Sequence, residues 1–97
     1  MSYDMNIGEE SFNYTYNVSP MWYKAKPDKG IRTHYEMTGR DAVEPLTDIY
    51  CYMIDNYDDL VKLDPSNGWG DYEGALQFVG ELILASLRNP HEIWDGD

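Results

Sequence analysis

Apolar positions recur along this chain with two different periods, and the change of period marks out its elements. In residues 12–18, FNYTYNV, Phe12, Tyr14, Tyr16 and Val18 alternate with Asn13, Thr15 and Asn17. That is the two-residue period of a half-buried strand. Ser19-Pro20 then reads as an N-cap followed by proline at the first helical position, opening a short helix through MWYKAK. Pro27-Asp28-Lys29-Gly30 ends that helix as a turn. Residues 31–37, IRTHYEM, alternate again, which predicts a second strand or an extended connector. Residues 1–10 read as a flexible N-terminal segment.

From Thr38 the period becomes helical. Val43, Leu46, Ile49, Tyr50, Met53, Ile54 and Tyr57 fall on one side of a helix over residues 41–57, with Pro45 in its opening turn. A short helical turn, NYDDLVKL, follows after a kink near Asn56. A last helix over 71–88 carries a stripe of Tyr72, Ala75, Leu76, Val79, Leu82, Ile83 and Leu87, widened by Phe78 and Leu84. It is the expected central helix, with Asn89 as a left-handed C-cap and Pro90 as the stop. Ile93 and Trp94 can dock as a short strand or anchor the tail. The expected fold is a single α+β domain over 1–97. It consists of a helical hairpin with a short N-terminal helix and a small β element; a mainly α fold is the alternative.

Charge changes this picture more than composition does. Hydrophobic content is ordinary at 42%, so the chain is not of the disordered class. Eighteen acidic against seven basic residues leave a net charge of −11, more than solubility asks of a small domain. Such a surface repels polyanions, so direct nucleic-acid binding is disfavoured and cationic partners are favoured. No apolar run approaches the ~20 residues of a membrane span, and the N-terminus has no signal-peptide pattern. With a lone Cys51, these features predict a cytoplasmic protein without disulfides. On that expectation the glycosylation patterns at Asn13 and Asn17 are coincidental.

Candidate chemistry is sparse. Gly68-x-Gly70-x-x-x-Gly74 misses the dinucleotide fingerprint by one residue, and a helix rather than a strand precedes it. Asp71 and Glu73 would also occupy the helix N-terminus that a phosphate needs. Read from Asp64, a calcium loop lacks its ligands, its glycine and its closing glutamate. One cysteine and two histidines are too few for structural zinc. Acidic neighbours disfavour an activated thiolate at Cys51, while His34 and His91 read as surface residues. No enzyme activity, cofactor or metal is expected.

Two features remain. Glu44, Asp48, Asp55 and Asp59 follow at steps of 4, 7 and 4 opposite the apolar stripe of the first long helix, with Tyr52 projecting beside them. This row, roughly 20 Å long, can mimic a phosphate backbone or remain a solvated face. The segment LDPSNGWGDYEGA reads as a helix-to-helix connector. There Gly68 and Gly70 take angles other residues resist, Asp71 caps the last helix, and Trp69 folds back on the core.

Two segments, NYTYNVSPMW (13–22) and LDPSNGWGDYEGALQFVGELILASLRNPHEIW (63–94), resemble a widespread group of small proteins carried by bacteriophages, prophages and other mobile elements. The match rests chiefly on Asn67-Gly68-Trp69-Gly70 with Tyr72-Glu73-Gly74-Ala75. No activity or catalytic residue attaches to that group, so none is carried over; the resemblance implies an intracellular phage context. The expected function is a non-catalytic interaction protein that inhibits a host nucleic-acid-handling or defence factor through its acidic surface. The alternative is a structural or accessory module of a phage assembly, a homodimer packed through helix faces.

Overall fold

A computed structural model describes all 97 residues. It is an α+β domain of three strands and four helices. The first strand, β1 (Ser2–Ile7), buries Tyr3, Met5 and Ile7 and exposes Asp4 and Asn6. This alternation places the N-terminus in the middle of the sheet rather than in a flexible segment. β1 pairs antiparallel with β2 (Glu10–Thr15) from Ser2–Thr15 to Ile7–Glu10, across a tight turn at Gly8. On its other edge it pairs with β3 (Asp95–Gly96), giving the order β2-β1-β3.

The strand expected over 12–18 stops at Thr15. There the Thr15 Oγ1 accepts the Asn17 N–H at 3.2 Å and turns Tyr16–Val18 into a 3₁₀ segment. α1 (Ser19–Ala25) follows, with Pro20 in its first turn. Ser19 lies inside the helix and does not cap it; its hydroxyl donates to the Tyr16 carbonyl at 2.6 Å. The second expected strand is also absent. Gly30–His34 is 3₁₀, burying Ile31 and His34 three residues apart, which is the period of that helix rather than of a strand.

The helical hairpin is present, with shifted details. α2 (Gly39–Asp55) is capped by Thr38 Oγ1, which accepts the Asp41 N–H at 3.2 Å. Pro45 therefore lies in the second turn rather than the first. The break at Asn56 leads to α3 (Tyr57–Leu60) and a short 3₁₀ segment through Leu63. α4 (Tyr72–Arg88) runs back antiparallel to α2. Both ends of this pair are fastened. The Tyr72 hydroxyl donates to the Met53 carbonyl at 2.5 Å, and the Arg40 N–H donates to the Pro90 carbonyl at 3.1 Å. A Cβ at Gly39 would overlap the Asn89 and Ser86 carbonyls, so only glycine lets α2 begin this close to the end of α4. Asn89 does not adopt the left-handed conformation (φ −129°); its side chain donates to Ala85 O and to Glu10.

Three layers meet in one core. Tyr3, Met5 and Ile7 of β1, Leu46, Ile49 and Met53 of α2 and Val79 and Leu82 of α4 belong to one cluster of buried side chains. Trp22 lies at its centre, edge-on to Tyr3 at 5.5 Å and tilted on Phe78 at 5.7 Å. Trp94 plugs the end near the chain terminus, its indole N–H donating to Ser86 Oγ at 2.9 Å. No helix is long and apolar enough to cross a membrane.

Burial of β1 makes a direct prediction. Met5→Ala should destabilise the domain by about 2–5 kcal/mol in urea unfolding, whereas Asn6→Ala on the exposed face should change little.

Candidate functional site

The acidic row of α2 arises from the same periodicity that builds the core. At 100° per residue, Asp41, Glu44, Asp48 and Asp55 fall within about 60° of arc, about 140° around the helix from the buried Ala42, Leu46, Ile49 and Met53. All four acids are exposed. The only cation on them is Lys26 from the end of α1, whose Nζ is 3.4 Å from Asp48 Oδ2. Asp59 does not continue the row on the same helix. It lies on α3, beyond the break at Asn56, with exposed Asp58. Tyr52 is half-buried and packs against the core rather than standing free in solvent. Repulsion between like charges four residues apart costs the helix a few tenths of a kcal/mol per pair; its buried face and its clasp to α4 offset that.

The connector from Leu63 to α4 differs from expectation at its most conspicuous residue. Gly68 and Gly70 have φ of +77° and +88°, the left-handed region that favours glycine. The Asp71 carboxylate accepts the Gly74 N–H at 2.7 Å, and Asp64 accepts the Tyr72 N–H at 2.8 Å, so two carboxylates satisfy the first turn of α4. Trp69, however, is 69% exposed. The core it was expected to cover is already filled by Trp22 and Trp94. It caps a polar groove with Ser2, Asn13, Thr15, Asn17 and Asn67. Tyr14 anchors the loop by accepting the Asp71 N–H at 3.3 Å and by lying against Gly74, where a Cβ would meet its hydroxyl.

The expected chemistry candidates lie far apart in kind. Cys51 is exposed on α2. His34 is buried rather than on the surface, edge-on to Trp94 at 4.8 Å and to Tyr35 at 5.2 Å. Burial disfavours its charged form and lowers its pKa from 6.5 to about 3. None of the principal clefts is lined by Cys51, His34 or His91. No three His, Cys, Asp or Glu side chains are grouped to hold a metal.

What sequence reasoning missed is the outer side of the hairpin. Ile54, Leu84 and Leu87 are 51%, 54% and 59% exposed, although each was counted toward the apolar arc of its helix. Tyr50, Gly80, Ile83 and Leu84 line a shallow groove between α2 and α4 with Gln77 and Glu81. Comparisons with protein-family models, curated proteins and solved structures found no match.

Two outcomes follow from these placements. Trp69→Ala should cost less than about 1 kcal/mol of unfolding free energy, against about 3–5 for Trp22→Ala, measured by urea titration. For His34, an unfolded chain binds the proton near pH 6.5 and the folded one only near 3. Stability from this group is therefore complete above pH 6.5 and falls by ~1.4 kcal/mol per unit below it. Comparing His34→Leu with the parent cancels carboxylate titration; between pH 7.5 and 5 the parent should lose ~2 kcal/mol more than the variant.

Proposed function

We propose that this chain is a non-catalytic interaction protein that docks a basic protein surface against the acidic face of α2. The observation that carries the reading is the alignment of Asp41, Glu44, Asp48 and Asp55 on one exposed arc, with Lys26 as its sole counter-charge. The field of a chain at −11 steers cationic partners toward it. A rigid row of carboxylates about 20 Å long competes with a nucleic-acid backbone for a basic groove. The partner class is accordingly a nucleic-acid-handling or defence factor of the host, and the action is inhibition by occlusion inside the host cell. The phage-type motifs at 13–22 and 63–94 supply that context.

A polyanion competitor has a characteristic salt dependence. Capture of a basic partner from a bacterial lysate should occur at 50 mM NaCl and weaken by at least tenfold at 300 mM. The triple reversal Glu44→Lys, Asp48→Lys, Asp55→Lys should abolish it while leaving the circular-dichroism melt in place. Capture that survives both changes would refute the acidic-face reading.

A further inference from the structure

We infer that the polar groove at Trp69 binds a neutral carbohydrate, a short run of pyranose rings with one ring stacked on the indole. No residue of the acidic row lines it, so the inference is independent of the docking face on α2. Three stretches of the chain build the groove. The start of β1 supplies Ser2, with Met1 beside it. The end of β2 and the 3₁₀ segment after it supply Asn13, Thr15 and Asn17, and the connector before α4 supplies Asn67 and Trp69. Its volume is about 540 Å³, within the roughly 300–1,000 Å³ of small-molecule sites.

The loop that carries Trp69 is fixed by its backbone. A Cβ on Gly70 would stand 2.6 Å from Thr15 Cγ2 and 3.1 Å from Val18 Cγ1, so glycine lets the connector close on the end of β2. The Asn67 Oδ1 accepts the Trp69 N–H at 2.9 Å, and two residues on the Tyr14 hydroxyl accepts the Asp71 N–H at 3.3 Å. The indole itself stays 69% exposed. A ring that open keeps a face clear of protein, on a loop that needs no reordering to present it.

The bonds inside the groove determine what else can bind there. Asn13 donates its amide hydrogens to Ser2 Oγ, Tyr3 O and Asp4 Oδ1, which leaves its Oδ1 as a free acceptor. Asn17 donates to Thr15 Oγ1 at 2.9 Å and likewise keeps Oδ1. Asn67 uses Oδ1 and keeps the donors of Nδ2. Ser2 and Thr15 accept these bonds and keep their hydroxyl hydrogens. Free donors and free acceptors are therefore interspersed, and no Lys, Arg, Asp or Glu lines the groove.

This combination selects among ligands. A nucleotide base would stack on the indole, but its phosphates would find no cation here and a chain at −11 repels them. An apolar ligand would leave the amides and hydroxyls without partners. A quaternary ammonium is held by a cage of aromatic rings, and this groove has one ring. A pyranose meets every requirement. Its axial C–H bonds, slightly positive, lie on the negative face of an aromatic ring. Its hydroxyls both donate and accept along the ring edge, matching the mixed set left free on Ser2, Asn13, Thr15, Asn17 and Asn67.

The test is an NMR titration of the isotopically labelled full chain with three soluble probes: cellotriose, maltotriose and the β-1,4 trimer of N-acetylglucosamine. The chain has three tryptophans, and the indole N–H signal missing from Trp69→Ala identifies the exposed one. At least one probe should shift that signal and the amides of Gly68, Gly70 and Thr15, with a Kd of about 1 mM or below. The affinity should be the same in 0.05 and 0.5 M NaCl and unchanged by Glu44→Lys with Asp48→Lys. Trp69→Ala should weaken it at least tenfold, followed at Gly70 and Thr15, with the thermal melt retained, and Trp69→Phe should recover part of the loss. Asn67→Asp keeps the acceptor for the Trp69 N–H but removes the free donors, and should weaken binding at least threefold. Co-sedimentation with insoluble cellulose or chitin would assign the site to a polymer surface; binding of the soluble probe alone would assign it to free oligosaccharides. No shift with any probe at 10 Kd-equivalents of about 10 mM, binding indifferent to Trp69→Ala, or tighter binding of an eight-residue oligothymidylate than of every sugar overturns the proposal.

Discussion

The fold depends on a single constraint: β1 must bury Tyr3, Met5 and Ile7 while lying between two other strands. β2 satisfies one edge of its backbone, and β3, from the far end of the chain, satisfies the other. The two termini are thereby joined through one strand. Trp94, just before β3, is drawn into the core, where Ser86 satisfies its indole. That closure adds the sheet to what the hairpin of α2 and α4 packs on, beside α1 and the segment at 30–34. With it, the hairpin is held between the sheet below and the α1 side, and its outer side is left bare.

This arrangement determines which parts of α2 can act on other molecules. One arc is committed to the core and another packs toward α1 and the segment at 30–34. The remaining surface carries the carboxylate row and, roughly a third of a turn from it, the exposed Ile54. The two differ in physics. Carboxylates attract cations at long range and that attraction weakens with salt, whereas an exposed apolar side chain favours exclusion of water, which salt does not weaken.

The helices were legible in the sequence because a 3.6-residue period sustained over 17 residues has few alternative explanations. Their exact facing was less so. Hydrophobicity placed Ile54, Leu84 and Leu87 in the apolar arcs, but only the position of the sheet decides which part of a wide arc is covered. β1 carries a clean alternation, Tyr3-Met5-Ile7, although residues 1–10 read as a flexible segment. Its pairing with a two-residue strand some ninety positions away leaves no local trace. The segment 31–37 alternates over too few residues to separate a strand from a 3₁₀ turn. Trp69 shows the limit of arguing from residue type. Its burial depended on whether Trp22 and Trp94 had already filled the core, a competition that local sequence does not encode. The glycine conformations at 68 and 70 and the Asp71 cap follow from local rules, and the geometry agrees with those rules, whereas the break at Asn56 takes Asp59 out of the expected acidic row.

The central claim is that partners meet this protein at the carboxylate row of α2. Two-dimensional amide NMR of the isotopically labelled chain, titrated with the basic protein it captures, addresses that claim residue by residue. The account expects shifts concentrated on Glu44, Asp48, Asp55 and their neighbours that vanish when salt is raised to 0.5 M. Shifts that instead cluster on the Trp69 loop, and persist in salt, would contradict it.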